Sequence, residues 1–595
     1  MSRGMSHATS LFLGWLVEPL RRRPSLRTTS LFLGWLVEPL RRRLSLRTTS
    51  LFLGWLVAVV LVLVTGLLGS SIDLNVTWGQ GFIVVLVVLF LIRLRSQWSP
   101  SGVAQQTNLF TPPKRALKKA SLSISSQLSR YFEFTLLALL AVAIFYQILL
   151  VPVVGLADNG DFGRLMDQTG LAYPAASQGE QHLKFINLHF LVREPHSTAV
   201  GYRSSELIFV YAALFLDKIF SANGIFDLRL LGALHAAALL VGLMLVLTAT
   251  RSLPRPSRWV AGALVVLVFV DVGYVAYLNS LYREAAALGF MVLTFAFALS
   301  YIRAAKTSLA LLSAYFAAAA LFVAAKPQHA PLGFLLAVFG LLLSRRWTGW
   351  SHRRWASASM AAMVCLVGVW SHFSQPDPPK EAILYNLIFS DVLVHSQTPR
   401  EDLTELGLGE DMLRWIGTDA FDKKAPIEDP AFRESFYSQI TPSSVAGFYS
   451  THPDRALGLL DRAARQGFSL RPEYLGNFEE RSGRSPGAQS ATFDVWSSLR
   501  ANFPSKSLAG LTFVLGMAAL GGFVVWKRCG TLEAKMLAEL FLLLVAMSAL
   551  EFAVVCLGGG ALDTVKHLFA FNLMVDMGAI MAASYVAYWW SKVVN

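Results

Sequence analysis

Long apolar runs broken by short basic stretches dominate the chain. A bilayer crossing takes roughly 20 predominantly apolar residues. Read with a window of about 19 residues, the sequence predicts spans near 51–69, 76–94, 132–154, 226–250, 259–278, 284–303, 308–325, 329–344, 356–373, 507–526, 533–556 and 568–590. The longest polar interval, 374–505, reads as helical segments (EDLTELGL, EDMLRWI, SSVAGFYS, PDRALGLLDRAARQGF) separated by Pro399, Pro426, Pro430, Pro442, Pro453 and Pro472. At this length it can form a core of its own. The expected fold is an all-α polytopic membrane protein with about 12 transmembrane helices and a mainly helical extracytoplasmic domain.

Composition agrees with that solvent. Of 595 residues, 54% are hydrophobic and only 15% charged, and the mean hydropathy is +0.50; a soluble domain is about a quarter charged. A net charge of +14 raises the question of nucleic acid. The interval 374–505, however, holds 19 of the 38 acidic and 13 of the 52 basic residues. The positive excess therefore lies in short loops between spans, where the positive-inside rule expects it, and no nucleic acid is implied. The basic loops are the amino terminus (Arg21–Arg23, Arg41–Arg43), 93–130, 251–258, 303–306, 345–354 and 527–535. They alternate with the remaining loops, so 156–225, 279–283, 326–328, 374–505 and 557–567 are expected together on the outer face. The alternation requires that 205–221, SELIFVYAALFLDKIFS, lie along the outer interface as an amphipathic helix, with Tyr211 and Lys218 at headgroup level.

The organisation reads as a repeat-containing cytoplasmic amino terminus over 1–50, two spans over 51–94 and a basic linker over 95–131. A transmembrane core over 132–373 with the outer loop 156–225 follows, then the soluble region 374–505 and carboxy-terminal spans over 506–595. In the repeat, SLFLGWLVEPLRRR starts at Ser10 and Ser30, and SLFLGWLV starts again at Ser50. Only the third copy is apolar for long enough to cross. Cys365, Cys529 and Cys556 have no disulfide or zinc spacing. No Gly-rich phosphate loop or nucleotide fingerprint occurs, so a soluble nucleotide donor is not indicated.

Four outer motifs carry ionisable groups at membrane ends, where charge is expensive. In Ala157-Asp-Asn-Gly-Asp-Phe-Gly-Arg164, Asp158 and Asp161 are spaced to share a proton, a cation or an acceptor hydroxyl, with Asn159 between them. An Asx turn or helix cap explains the same residues. In Asn279–Glu284, Arg283 offers a fork for phosphate oxygens and Glu284 sits on a helix start, or the two simply pair. In Ala325-Lys-Pro-Gln-His329, Lys326 suits a lipid phosphate, or snorkels, and Gln328 and His329 adjoin it. In Gly558–His567, Asp563 would start a helix with Lys566 and His567 one turn on, behind a glycine run; a flexible anchored loop is the plain alternative. Together they supply carboxylates for a base and cations for an anionic leaving group, the equipment for sugar transfer from a polyprenyl phosphate.

The order DNGDFGRLMDQTGL, YRSSEL, YREAAAL, KPQ, ILYNLIFSDVL with EDLTELGL, YLGNFE, FDVWSSLR and DTVKHLFAFNLMVD over residues 132–590 resembles the GT-C superfamily of membrane glycosyltransferases, most closely the bacterial WsfD-type hexose transferases of glycan biosynthesis. The resemblance implies a GT-C-like core and an inverting hexosyl transfer from a polyprenyl-phosphate donor to a glycan, glycolipid or protein acceptor. The site would face the periplasm or exterior of the bacterial inner membrane, in contact with membrane lipids. It implies Asp158 or Asp161 as catalytic base; the chemistry of the other motifs puts Arg283, Lys326, Lys566 and His567 on the donor phosphate, with Asn159, Glu284, Gln328, His329 and Asp563 in support. A divalent cation, Mg or Mn, on Asp158 and Asp161 stays open, since metal dependence varies in the superfamily. Two other classes compete. A lipid-linked sugar flippase tends to carry polar groups near the bilayer midplane, where this sequence is mostly apolar apart from Asp271 and Glu539. An assembly subunit leaves the clustered membrane-end charges unexplained.

Overall fold

The computed structural model describes residues 114–174, 182–195, 203–221, 223–347, 352–374, 377–503, 506–560 and 563–594. The repeat, the two spans expected over 51–94 and most of the linker 95–131 lie outside the described residues. Helices follow the apolar runs: α1 (Lys114–Leu149), α2 (Gly163–Thr169), α3 (Glu206–Phe220), α4 (Leu228–Ala249), α5 (Arg255–Phe269), α6 (Val272–Leu278), α7 (Glu284–Arg303), α8 (Leu309–Val323), α9 (Ala330–Leu343) and α10 (His352–Phe373). After them come α11 (Asp377–Asn386), α12 (Pro399–Glu405), α13 (Pro430–Tyr437), α14 (Pro442–Thr451), α15 (Pro453–Gln466), α16 (Val495–Ala501), α17 (Leu508–Arg528), α18 (Leu532–Gly559), α19 (Thr564–His567) and α20 (Phe569–Val594).

Among the described residues, 8 helices are long and apolar enough to cross a membrane, or up to 9 if one bent pair counts as a single span. Each span expected from residue 132 onward has a helix, and two depart from the simple reading. The run 259–278 is α5 and α6, bent by 56°. Asp271 makes the break, because its carboxylate caps α6 by accepting from Gly273 N (2.8 Å) and also accepts from Ser497 N (2.9 Å). The run 308–325 forms α8, only 15 residues long.

The basic loops draw together through ion pairs and hydrogen bonds. Glu133 meets Arg251 (3.2 Å) and Arg258 (2.5 Å), Arg303 meets Glu533 (2.9 Å), and Arg345 pairs with Glu539. At the opposite helix ends, α3 turns Val210, Ala213 and Asp217 inward and leaves Ile208, Tyr211, Phe215, Ile219 and Phe220 exposed. Its 15 residues at ~1.5 Å rise fall short of a ~30 Å core, as those of α8 do, and it leaves an apolar stripe exposed. The outer loop is not wholly helical: β1 (Leu171–Ala172), β2 (His189–Val192) and β3 (Ile225–Asp227) form a three-stranded antiparallel sheet in the order β1-β2-β3.

The region 374–505 divides in two. Residues from Tyr385 to Leu459 bury their own cluster around Phe389, Phe432, Phe436 and Phe448. Beyond it, Ala463, Ala464 and Phe468 share a cluster with Leu511, Phe552, Val555, Cys556, Leu568 and Phe571 of the carboxy-terminal helices. The motif FDVWSSLR makes this second union polar as well as apolar. Trp496 Nε1 (2.8 Å) and Tyr274 OH (2.6 Å) donate to Asp576 of α20, Arg500 pairs with Asp576 (3.1 Å), and Arg500 also donates to Asn572. Asp576 is fully buried. Removing one partner of a buried pair costs about 3–5 kcal/mol, so Arg500→Leu is expected to lower the thermal midpoint of the full chain in detergent sharply; an unchanged midpoint would deny this docking.

Candidate functional site

The acidic loop is held by backbone hydrogen bonds to two other segments, 476–477 and Asn279. Gly155 N donates to Asn477 O (3.1 Å), Ala157 N to Gly476 O (3.0 Å), and Leu156 N to Asn279 O (3.4 Å). Asn477 Nδ2 donates to Gly155 O (2.9 Å), while Asn279 Nδ2 donates to Val154 O (2.9 Å) and Ile148 O (2.8 Å). A Cβ at Gly155 would lie 2.6 Å from Asn279 O, and one at Gly476 would lie 1.9 Å from Lys184 O. Only glycine allows these approaches. The YLGNFE motif is therefore the clamp that positions residues 155–161.

Within that loop the two aspartates take different parts. Asp158 Oδ1 accepts from Gly160 N (2.7 Å) and Phe162 N (3.1 Å), and its Oδ2 accepts from Tyr173 OH (2.8 Å). This is the Asx-turn arrangement, and it leads into α2. Asp161 instead reaches across to the last loop: Lys566 Nζ donates to its Oδ2 at 2.6 Å, and Arg164 approaches its Oδ1 at 3.3 Å. Lys566 also meets Asp563 (2.7 Å) and lies over the Tyr282 ring, 4.9 Å from its centroid. Asn159 Nδ2 donates to Asp563 (3.1 Å), Tyr474 OH donates to the other Asp563 oxygen, and Tyr282 OH donates to Ala157 O (2.8 Å). Asp563 precedes α19, as its spacing to Lys566 and His567 predicts, but Gly558 and Gly559 finish α18 and do not form an open loop.

A second group adjoins the first. Lys326 Nζ donates to Glu284 Oε1 (2.7 Å) on the first turn of α7. Gln328 Nε2 donates to Glu551 Oε1 (2.7 Å) and to His567 O (3.0 Å), and His329 lies 3.5 Å from Glu551. Glu206, the acid of YRSSEL, meets His235 Nε2 (2.8 Å) and accepts from Ala286 N (3.1 Å). All four motifs thus converge. Sequence reasoning missed Tyr282, Tyr474, Glu551, Glu206 and His235 as members. Tyr282 and Glu206 stood inside quoted motifs, whereas Glu551 is a lone acid in a long apolar run, as conspicuous there as Glu539. Beside Asp271 and Glu539, the exceptions expected in a mostly apolar midplane, the helices also bury Glu551, Asp576 and His235, each at most 1% exposed. Glu539 itself belongs to the opposite end, where it pairs with Arg345 and accepts from Trp526 Nε1 (3.0 Å).

The electrostatics follow from this pairing. Burial disfavours the charged form of Asp161, but the positive charges of Lys566, Arg164 and Arg283 outweigh it and hold the carboxyl far below the usual carboxylate range. Lys566 is buried too, yet Asp161, Asp563 and Glu284 keep its ammonium above the ordinary lysine value. Burial lowers Arg283 to about 10, opposed by Asp161, so the guanidinium remains charged at neutral pH. The donors do not fit a divalent cation on Asp158 and Asp161: the first carboxylate is filled by two backbone N–H groups and a tyrosine hydroxyl. The second already carries a lysine and an arginine. Among the described residues no group of three His, Cys, Asp or Glu is placed to hold a metal.

The family model described as the YfdI N-terminal transmembrane domain matches residues 118–595. No curated protein and no solved structure matches.

Proposed function

The chain belongs to the family of the YfdI N-terminal transmembrane domain, and from that premise we propose that it is a membrane glycosyltransferase of GT-C type, moving a hexose from a polyprenyl-phosphate donor to a glycan, glycolipid or protein acceptor on the outer face of the inner membrane. The observation that carries this reading is the pairing of Asp161 with Lys566 at the ends of membrane helices, with the charge of Arg283 acting on the same carboxyl. An acceptor hydroxyl attacks the anomeric carbon, the bond from that carbon to the phosphate oxygen breaks, and the polyprenyl phosphate departs with the electron pair. Asp161 takes the hydroxyl proton. Lys566 and Arg283, with Arg164, neutralise the phosphate, and attack opposite the leaving group inverts the anomeric centre.

Paired with Lys566, Asp161 is a weak base. A donor phosphate beside Lys566 and Arg283 competes for the same cations and raises the affinity of Asp161 for a proton. Asp158 shapes the loop, and Lys326, held by Glu284, supports the cation side. His567 and Gln328 connect α19 to α18. A flippase needs a polar route through the bilayer; the buried charges Lys326 with Glu284, Lys566 with Asp161 and Arg500 with Asp576 are paired, and Glu539 pairs at the other end. Purified full chain in nanodiscs with a polyprenyl-phosphate hexose and membrane extract as acceptor source is expected to release polyprenyl phosphate. Movement of intact donor between leaflets with no cleavage would favour the flippase.

A further inference from the structure

A second site lies beside the clamp. A cleft of about 300 Å³ opens between the outer end of α1 and the segment 478–492. One wall is the end of a membrane span: Tyr146 (46% exposed), Leu150 and Val151 (61% exposed). The other wall carries Arg484, Ser485 and Thr492, with the Arg484 guanidinium 5.6 Å from the Phe478 ring centroid. Among the described residues no carboxylate lines the cleft. Gln147, also in its lining, is 1% exposed; its Nε2 donates to Val270 O (2.8 Å), while its Oε1 is buried with no hydrogen-bond partner. A buried acceptor left unmade costs about 1–3 kcal/mol, which marks the wall behind the cleft as polar.

We propose that this cleft binds the sugar rings of a lipid-anchored glycan, the acceptor of the transfer. The chemistry that selects such a ligand is the mixture in the walls. Hydroxyls, an amide and one guanidinium recognise a polyhydroxyl ring; the exposed Tyr146 ring offers a face for it to stack on; the exposed apolar end of α1 accommodates the lipid portion. The cleft is also continuous with the catalytic loop through backbone. Val154 lines it, Gly155 follows, and the Gly155–Asn477 and Ala157–Gly476 hydrogen bonds lead directly to Asp158 and Asp161. The assignment as acceptor site rests on the transferase reading, whereas glycan binding in the cleft stands apart from it.

The test is photolabelling of the full chain in phosphatidylcholine nanodiscs with a diazirine-bearing alkyl maltoside. Labelled peptides are expected from 143–154 and 478–492, with excess maltose competing. The double variant Arg484→Ala, Thr492→Val, made at exposed positions, is expected to reduce labelling about tenfold, which corresponds to about 1.4 kcal/mol. Asp161→Asn is expected to lose transfer and keep the labelling, so failure of the transferase reading and failure of the cleft give different results. Competition by phosphatidylglycerol but not by maltose would overturn the proposal in favour of an anionic headgroup. Equal labelling by a diazirine maltose without the alkyl chain would overturn the lipid-anchored part, and labelling scattered over other peptides would overturn the site.

Discussion

Asp161→Asn is expected to lower sugar transfer by roughly 10²- to 10⁴-fold, the contribution of a positioned general base, with membrane insertion and yield unchanged. The amide keeps an oxygen for Lys566 but can no longer take the acceptor proton. Asp158→Asn is the informative contrast. Its oxygens serve Gly160 N, Phe162 N and Tyr173 OH, and an amide oxygen can still accept from the two backbone groups. The expected cost is about that of a weakened cap, near 1 kcal/mol, read as a several-fold loss of rate. Initial rates of polyprenyl phosphate release from both variants check the order. A larger loss in Asp158→Asn than in Asp161→Asn would reverse the assignment.

Lys566→Met is expected to have the second large effect, on donor binding. The ammonium lies between Asp161 (2.6 Å) and Asp563 (2.7 Å) and beneath Tyr282. Truncating one member of a buried charge pair costs about 2–5 kcal/mol, so the donor KM should rise by 30-fold or more on the order of that energy. The variant should also invert the dependence of stability on pH. In the wild type, Asp161 has a depressed folded value. Its contribution is therefore complete above the unfolded aspartate value of about 3.9 and is lost only as pH falls through the lower folded value. Without Lys566, two neighbouring carboxylates repel, their proton affinity rises, and acidification relieves the strain. Thermal midpoints of the two proteins between neutral pH and pH of about 4 should thus move apart, the variant gaining relative to the wild type. Parallel curves would mean that Lys566 does not hold Asp161.

Much of the fold was legible because the bilayer demands it. Apolar runs from residue 132 onward became helices at the expected places, since every backbone group in lipid must be satisfied within its own helix. The basic loops predicted which ends belong together: Arg303–Glu533 joins two loops assigned to one side, and Arg345 reaches Glu539 within α18. Hydropathy could not show the break at Asp271, because an apolar window does not register a local cap on Gly273 N or the hold of Ser497 N, from a distant segment, on the other carboxylate oxygen. The division of 374–505 was hidden for a similar reason: Ala463 and Phe468 look like domain core in sequence, yet their partners are Phe552 and Phe571.

The site was legible as four separate motifs of membrane-end charge, and their meeting was an expectation drawn from topology. What local sequence could not give was the division of labour between Asp158 and Asp161, since beside their local contacts each has a distant partner, 15 and 405 residues away. Tyr474 and Gly476 of the clamp were visible as a motif without a role, since backbone pairing of 474–478 with 154–157 leaves no mark on either segment except the glycines that permit it.

The central claim is that Asp161, Lys566 and Arg283 form the place where a lipid-linked sugar phosphate reacts. It is tested most directly by determining the structure of the full chain in nanodiscs with a polyprenyl-phosphate hexose bound. The account predicts phosphate oxygens within about 3 Å of Lys566 Nζ and the Arg283 guanidinium, with the anomeric carbon facing an Asp161 released from Lys566. A donor phosphate seated elsewhere, with the Asp161–Lys566 pair still closed, would contradict it.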